Sequence, residues 1–187
     1  MKKTILFLAF ILATGAVFAQ NLPSGQARKT TTSATVSFDA TTPKDGLPKA
    51  ENNTVIGSFD TKTGDVAFEA AVKNFSFASP KMQEHFNGAN WMNSDQFPKF
   101  TFTGKIEKFN KIKLTKNATY KVTVNGDLTV KGITQKIKIA GIIAVAGGKI
   151  KATTSFTVKL ADYNITGQPV ESGKVSREPK ISFSAEF

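Results

Sequence analysis

Few residues in this chain could do acid–base or metal chemistry. Its 187 residues include one histidine and no cysteine, which removes a thiol nucleophile and a histidine cluster for a transition metal. His85 lies within MQEHF, beside Glu84 and downstream of Ser79. A serine, a histidine and a carboxylate are the parts of a nucleophilic hydrolase. No nucleophile-elbow sequence accompanies them, however, and their spacing specifies no triad. His85 is better read as fixing a helix to the loop around Trp91. Asp95 and Asp162 stand singly in turn-like places and form no spaced acid–base pair. The glycines punctuate strands, as in Asn125-Gly126-Asp127 and Lys131-Gly132-Ile133, and build no phosphate-cradling loop. The expectation is a protein that is not an enzyme and that carries no metal and no cofactor.

Apolar side chains are far better represented. Between Phe68 and Phe102 the chain carries Phe75, Phe77, Met82, Phe86, Trp91, Met92, Phe97 and Phe100. Such a segment either packs a core or lines and covers the mouth of an apolar cavity. Small residues recur at Gly57, Ala70, Gly104, Gly126, Gly141, Ala152 and Ala185. They either permit bends in a sheet or leave a channel for an extended hydrocarbon chain. Each methylene buried in such a channel contributes about 0.8 kcal/mol.

The elements that must position these residues begin after an export signal. Lys2 and Lys3 precede an apolar run from Ile5 to Ala13, and Val17-Phe18-Ala19 offers small residues at −3 and −1. That pattern is a secretory signal peptide over residues 1–19, cleaved after Ala19, and shorter than the roughly 18 apolar residues of a membrane span. Cleavage leaves 187 − 19 = 168 residues, ordinary for one domain, with a formal charge of +11 − 2 = +9. The export signal and the single spacing of the lysines argue against a nucleic-acid partner. The lysines read as a solvated face, with peripheral contact to an anionic membrane surface or a cell-wall polymer as the functional alternative. A homodimer is the other partnership kept open.

Period-two alternation fills most of the mature chain. Strands are expected over Ser33–Phe38, Thr54–Phe59, Asp65–Lys73, Lys99–Phe109 and Lys149–Leu160, with a closing strand over Lys180–Phe187. Thr119–Val145 supplies two more. There Tyr120, Val122, Val124, Leu128 and Val130 share one parity, and after the Gly132 turn region Ile137, Ile139, Ile143 and Val145 repeat the pattern, with Lys121, Lys136 and Lys138 facing away. Asp39–Asn53 reads as a long loop, and Gln20–Thr32 as an irregular lead-in. Between Phe75 and Pro98 the pattern breaks. Ser79 looks like an N-cap, Pro80 the first helical residue, and Met82 and Phe86 stand one turn apart. About eight strands and one helical excursion with short connections mean antiparallel all-β structure, either a sandwich or a closed barrel. Lysines on the outward parity exclude an outer-membrane barrel.

MQEHF followed by WMNSDQFPKFTFTGKI resembles the central signature of the YceI-like domain, and GDLTVKGITQKIKI resembles its second. The likeness runs from about Ser33 to Phe187. It implies a single domain over residues 20–187, an extended eight-stranded antiparallel lipocalin-like barrel with a short helical insertion, located in the periplasm. It also implies a polyisoprenoid or similar long-chain lipid in the interior, held for transport, storage or sequestration. On the matched motifs, Met82, His85 and Phe86 belong to the helix. Phe97, Pro98, Phe100 and Phe102 belong to the following strand, and Gly126, Asp127, Leu128 and Gly132 to the second motif. The lipid tail is then expected among Phe68, Val72, Phe100, Phe102, Val124, Ile139, Phe156 and Phe183, with Ala152 leaving room for it. The head group is expected near His85 and Trp91. A ligand-free adaptor that meets partners through its basic surface is the alternative.

Overall fold

Alternation of one apolar and one polar face is what a pleated strand needs in order to bury one side only. The computed structural model describes residues 27–187, so the expected signal peptide lies outside the described residues. The strands are β1 (Arg28–Asp39), β2 (Lys49–Asp60), β3 (Asp65–Ala71), β4 (Ser76–Phe77), β5 (Lys99–Ile106), β6 (Ala118–Val130), β7 (Ile133–Ala146), β8 (Lys149–Thr157) and β9 (Lys180–Glu186). Helices α1 (Pro80–Asn87) and α2 (Gln168–Glu171) interrupt them. All pairings are antiparallel, in the order β1-β9-β8-β7-β6-β5-β3-β2, and β2 pairs back onto β1 from Arg28↔Asp60 to Asp39↔Lys49. The ring is an eight-stranded barrel, with the two-residue β4 appended to β2. Closure of β1 on β2 selects the barrel over the sandwich. Among the described residues no helix is long and apolar enough to cross a membrane.

Local chemistry explains most boundaries. Ser79 caps α1, its side chain accepting from the Met82 N–H at 3.5 Å, and Pro80 starts the helix where no N–H is needed. The β6–β7 hairpin pairs every residue from Ala118↔Val145 to Val130↔Ile133. Its two turn residues, Lys131 and Gly132, have φ of +50° and +76°, the type I′ geometry that matches strand twist.

Five boundaries differ from the alternation pattern. The expected loop over 39–53 is shorter, because Lys49–Asn53 already belongs to β2: Ala50 opposes Phe38 and Asn52 opposes Val36. Asn52 is fully buried, and its amide is satisfied. Its Nδ2 donates to the Ala71 carbonyl at 2.9 Å, and its Oδ1 accepts from the Thr54 N–H and hydroxyl at 2.8 Å each. This bond helps to end β3 at Ala71 rather than Lys73, and a 3₁₀ turn follows over Val72–Asn74. β5 stops at Ile106, before Lys108 enters the left-handed region at φ +51°, which leaves Phe109 on a turn. β8 stops at Thr157, and β1 starts at Arg28, inside the expected lead-in. Asn52→Ala is expected to cost about 2 kcal/mol, because it removes three hydrogen bonds of a fully buried amide and leaves the Ala71 carbonyl and the Thr54 donors without their partner. Urea denaturation measures this, and a change under about 0.5 kcal/mol would show that Asn52 does not hold this corner.

Both ends of the barrel are stopped by packing. At one end Phe59, Ile106, Ile143, Val145 and Ile150 are buried together, with Phe109, Ile112 and Leu114 of the β5–β6 connection laid against them. At the other, α1 places Phe86 among Phe38, Phe75 and Phe77, with ring centroids 6.2, 5.8 and 4.9 Å away.

Candidate functional site

Between these two plugs the barrel is hollow. Side chains that point inward from mid-strand, such as Phe102, Val124, Phe156 and Phe183, are only half-buried. They bound a cavity of about 220 Å³. An eight-stranded barrel is just wide enough either to be filled by side chains or to hold one small ligand. Here the strands supply rings at some levels and glycines at others. Phe68 from β3 meets Phe183 from β9 edge-on at 4.6 Å. The tip of the Phe102 ring lies against the glycine of β6, so that a Cβ on Gly126 would come within 2.5 Å of it. The aromatic ring covers backbone that would otherwise face the lumen.

The wall is chemically uniform. Among the described residues no Asp, Glu, Lys, Arg or His bounds the cavity, and its side-chain hydroxyls are those of Thr101, Thr153 and Thr154. An ionised group placed inside would lose its hydration and find no counter-charge. A cavity lined by Leu, Ile and Phe stays dry and accepts hydrocarbon. Among the described residues no cluster of three His, Cys, Asp or Glu side chains stands where it could hold a metal.

Most of the residues singled out from the sequence come together on this wall. Phe68, Phe100, Phe102 and Val124 line it from β3, β5 and β6. Ile139, Ala152, Phe156 and Phe183 line it from β7, β8 and β9, and Phe86 closes it from α1. The other five stand off it. Val72 is fully buried in the packing around the 3₁₀ turn, and Met82 and Trp91 lie half-buried against the same cluster. Phe97 covers the β6–β7 turn, where a Cβ on Gly132 would approach its Cε1 to 2.7 Å. His85 is exposed. Val36, Phe38, Val122 and Leu128 also line the cavity, and the alternation of β1 and β6 carries the signal for them. Ala140, Ile142 and Thr153 line it too, although they take the outward parity, and no sequence pattern marks them.

Charge is confined to the exterior. Lys136 pairs with Asp127 at 3.1 Å and Lys138 with Glu107 at 2.9 Å, across the outer face of the β6–β7 hairpin and its neighbour. The Lys138 hydrogen bond, then that of Asn125, holds the Glu107 carboxyl below its ordinary range. These pairs are solvated and contribute little to stability. Beside the barrel, burial first and then the adjacent Asp162 push the Tyr163 hydroxyl up to about 12, so it stays neutral.

The fold has close counterparts among solved structures. The chain is similar to a polyisoprenoid binding domain from Saccharophagus degradans implicated in plant cell wall breakdown, at TM-score 0.72 and 13% identity, over 86% of this chain and 97% of that one. It is similar to BcnA of Burkholderia cenocepacia at TM-score 0.68 and 19% identity, over 82% and 96%. It also matches the YCEI protein of Campylobacter jejuni at TM-score 0.57 and 16% identity, over 100% and 98%. At these identities the likeness shows the shared barrel. No curated protein matches the sequence at a significant level. The sequence itself fits the family model of the YceI-like domain over residues 24–187, nearly all of the chain, and the protein belongs to that family.

Proposed function

We propose that this protein is an exported, periplasmic carrier or sequestering protein that holds a polyisoprenoid or similar long-chain amphiphile inside its barrel. One observation carries the reading: a hollow eight-stranded barrel whose cavity wall is apolar but for three threonines and, among the described residues, bears no charged side chain. Family membership and the likeness to a domain named for polyisoprenoid binding support the same ligand class. The tail lies among Phe68, Phe100, Phe102, Val124, Ile139, Phe156 and Phe183, and its polar head stays in contact with water. Binding without chemical change is the reading supported by a cavity that, among the described residues, is bounded by no acid, base or nucleophile stronger than a threonine hydroxyl. Lys108, Lys111, Lys113 and Lys116 are exposed and form no ion pair among the described residues. They support peripheral contact with an anionic membrane, where each lysine near the surface contributes about 1 kcal/mol.

The test is purification from the periplasm of the native host, extraction with organic solvent and mass spectrometry of the extract. A stoichiometric long-chain species, absent from an identically prepared control protein, is the expected result. An empty extract, together with a native mass equal to that of the polypeptide alone, would overturn the carrier reading in favour of a ligand-free adaptor.

A further inference from the structure

The barrel wall is not continuous. β7 is paired with β6 along its whole length, yet it meets β8 only from Gly141↔Thr154 to Ala146↔Lys149. Residues 133–140 of β7 have no strand partner on that edge. The reason is that β8 stays with β9 through Thr157↔Lys180 and so leaves β7 behind. Two side-chain bonds cross the parting. The Thr154 hydroxyl donates to the Ala140 carbonyl at 2.6 Å where the ladder ends, and Gln135 Nε2 donates to the Asp162 carbonyl at 2.9 Å further along.

The cavity comes through the wall at this point. Ile139, Ile143 and Ala152 point inward, so Ala140, Ile142 and Thr153 point outward. All three nonetheless bound the cavity, and they cluster where the β7–β8 ladder ends, as they do if the lumen continues to the outer surface between the strands. Ile142 is 43% exposed, one of three large apolar side chains so exposed among the described residues. Among the described residues both ends are packed, one by the Phe59–Ile150 cluster and the other by α1 and its ring of phenylalanines.

From these observations we infer that the hydrocarbon chain enters and leaves sideways, through a slot between β7 and β8, rather than past α1 or through the opposite end. This deepens the lipid-holding reading and rests on it for its purpose. The slot suits an amphiphile. Its inner side is apolar, with Ile139 and Phe156, while its rim carries the unpaired peptide groups of an edge strand and the hydroxyls of Thr153 and Thr154. A tail can slide inward while an uncharged or solvated head remains at the rim.

The passage can be tested without assuming a lipid. The chain has no cysteine, so Ala152→Cys places a single thiol inside the cavity, and its alkylation by N-ethylmaleimide under native conditions reads access to the lumen. In that background Ala140→Trp should plug the slot and slow alkylation at least tenfold, while Ala89→Trp, on the exposed loop after α1, leaves the parent rate. Thr153→Trp plugs from the opposite lip and serves if Ala140→Trp does not fold, as judged by circular dichroism. Equal rates in the plugged and parent proteins, or slowing confined to Ala89→Trp, would overturn the slot. Slowed alkylation alongside an empty lipid extract would keep the slot and remove the lipid reading, so the two fail separately.

Discussion

Ala152→Trp is expected to abolish long-chain lipid binding while leaving the barrel folded. Ala152 sits in mid-β8, opposite Ile143 on one side and Ala185 on the other, and it bounds the cavity directly. An indole there projects into a space of about 220 Å³ and displaces several methylenes of any tail lying in it. Four methylenes at about 0.8 kcal/mol each amount to ~3 kcal/mol, a weakening of at least a hundredfold. The fold should tolerate the change because the ring fills lumen rather than packed core, where forced overpacking costs about 1–3 kcal/mol. Displacement of a fluorescent fatty-chain probe gives the affinity, and far-ultraviolet circular dichroism gives the fold. Unchanged lipid content in a folded variant would place the ligand elsewhere.

Phe86→Ala is expected to be the most destabilising single truncation in the helical plug, at about 4 kcal/mol. Phe86 is 6% exposed and is the hub on which Phe38, Phe75 and Phe77 converge. Its removal leaves a cavity that four elements cannot collapse into together: α1, β1, β4 and the 3₁₀ turn that precedes Phe75. The neighbouring His85→Ala should by contrast stay within about 0.5 kcal/mol, because that side chain lies on the solvent face of α1. Urea midpoints at constant m-value separate the two. Comparable losses in both would mean that α1 is held by its outer face and not by the phenylalanine cluster.

That contrast also shows what a motif can and cannot convey. His85 and Phe86 are adjacent in one signature, yet helical geometry turns them about 100° apart, given 3.6 residues per turn. One joins the core and the other meets water. Periodicity within the helix already pairs Phe86 with Met82, and Ser79-Pro80 marks where the helix starts. The position of Trp91 and Phe97 is less legible. Phe97 packs on the turn at Gly132, a contact between segments far apart in sequence.

Strand identity and facing were written in the sequence, because the pleat imposes a period of two on any half-buried strand. Val122, Val124, Leu128 and Ile139 line the lumen as their parity requires. The same alternation made the lysines exterior and so kept charge out of the cavity. The early start of β2 was not legible, since AENN has no apolar alternation and is held by partners elsewhere: Val36 and Phe38 across the ladder, and Ala71 at the Asn52 amide. Closure of β1 on β2, the hollow lumen and the parting of β7 from β8 were likewise decided only by the tertiary structure. Each depends on how many rungs two distant segments share and on how far opposite walls stand apart. Alternation of side chains along one strand is a local property; ring closure and empty volume belong to eight strands at once.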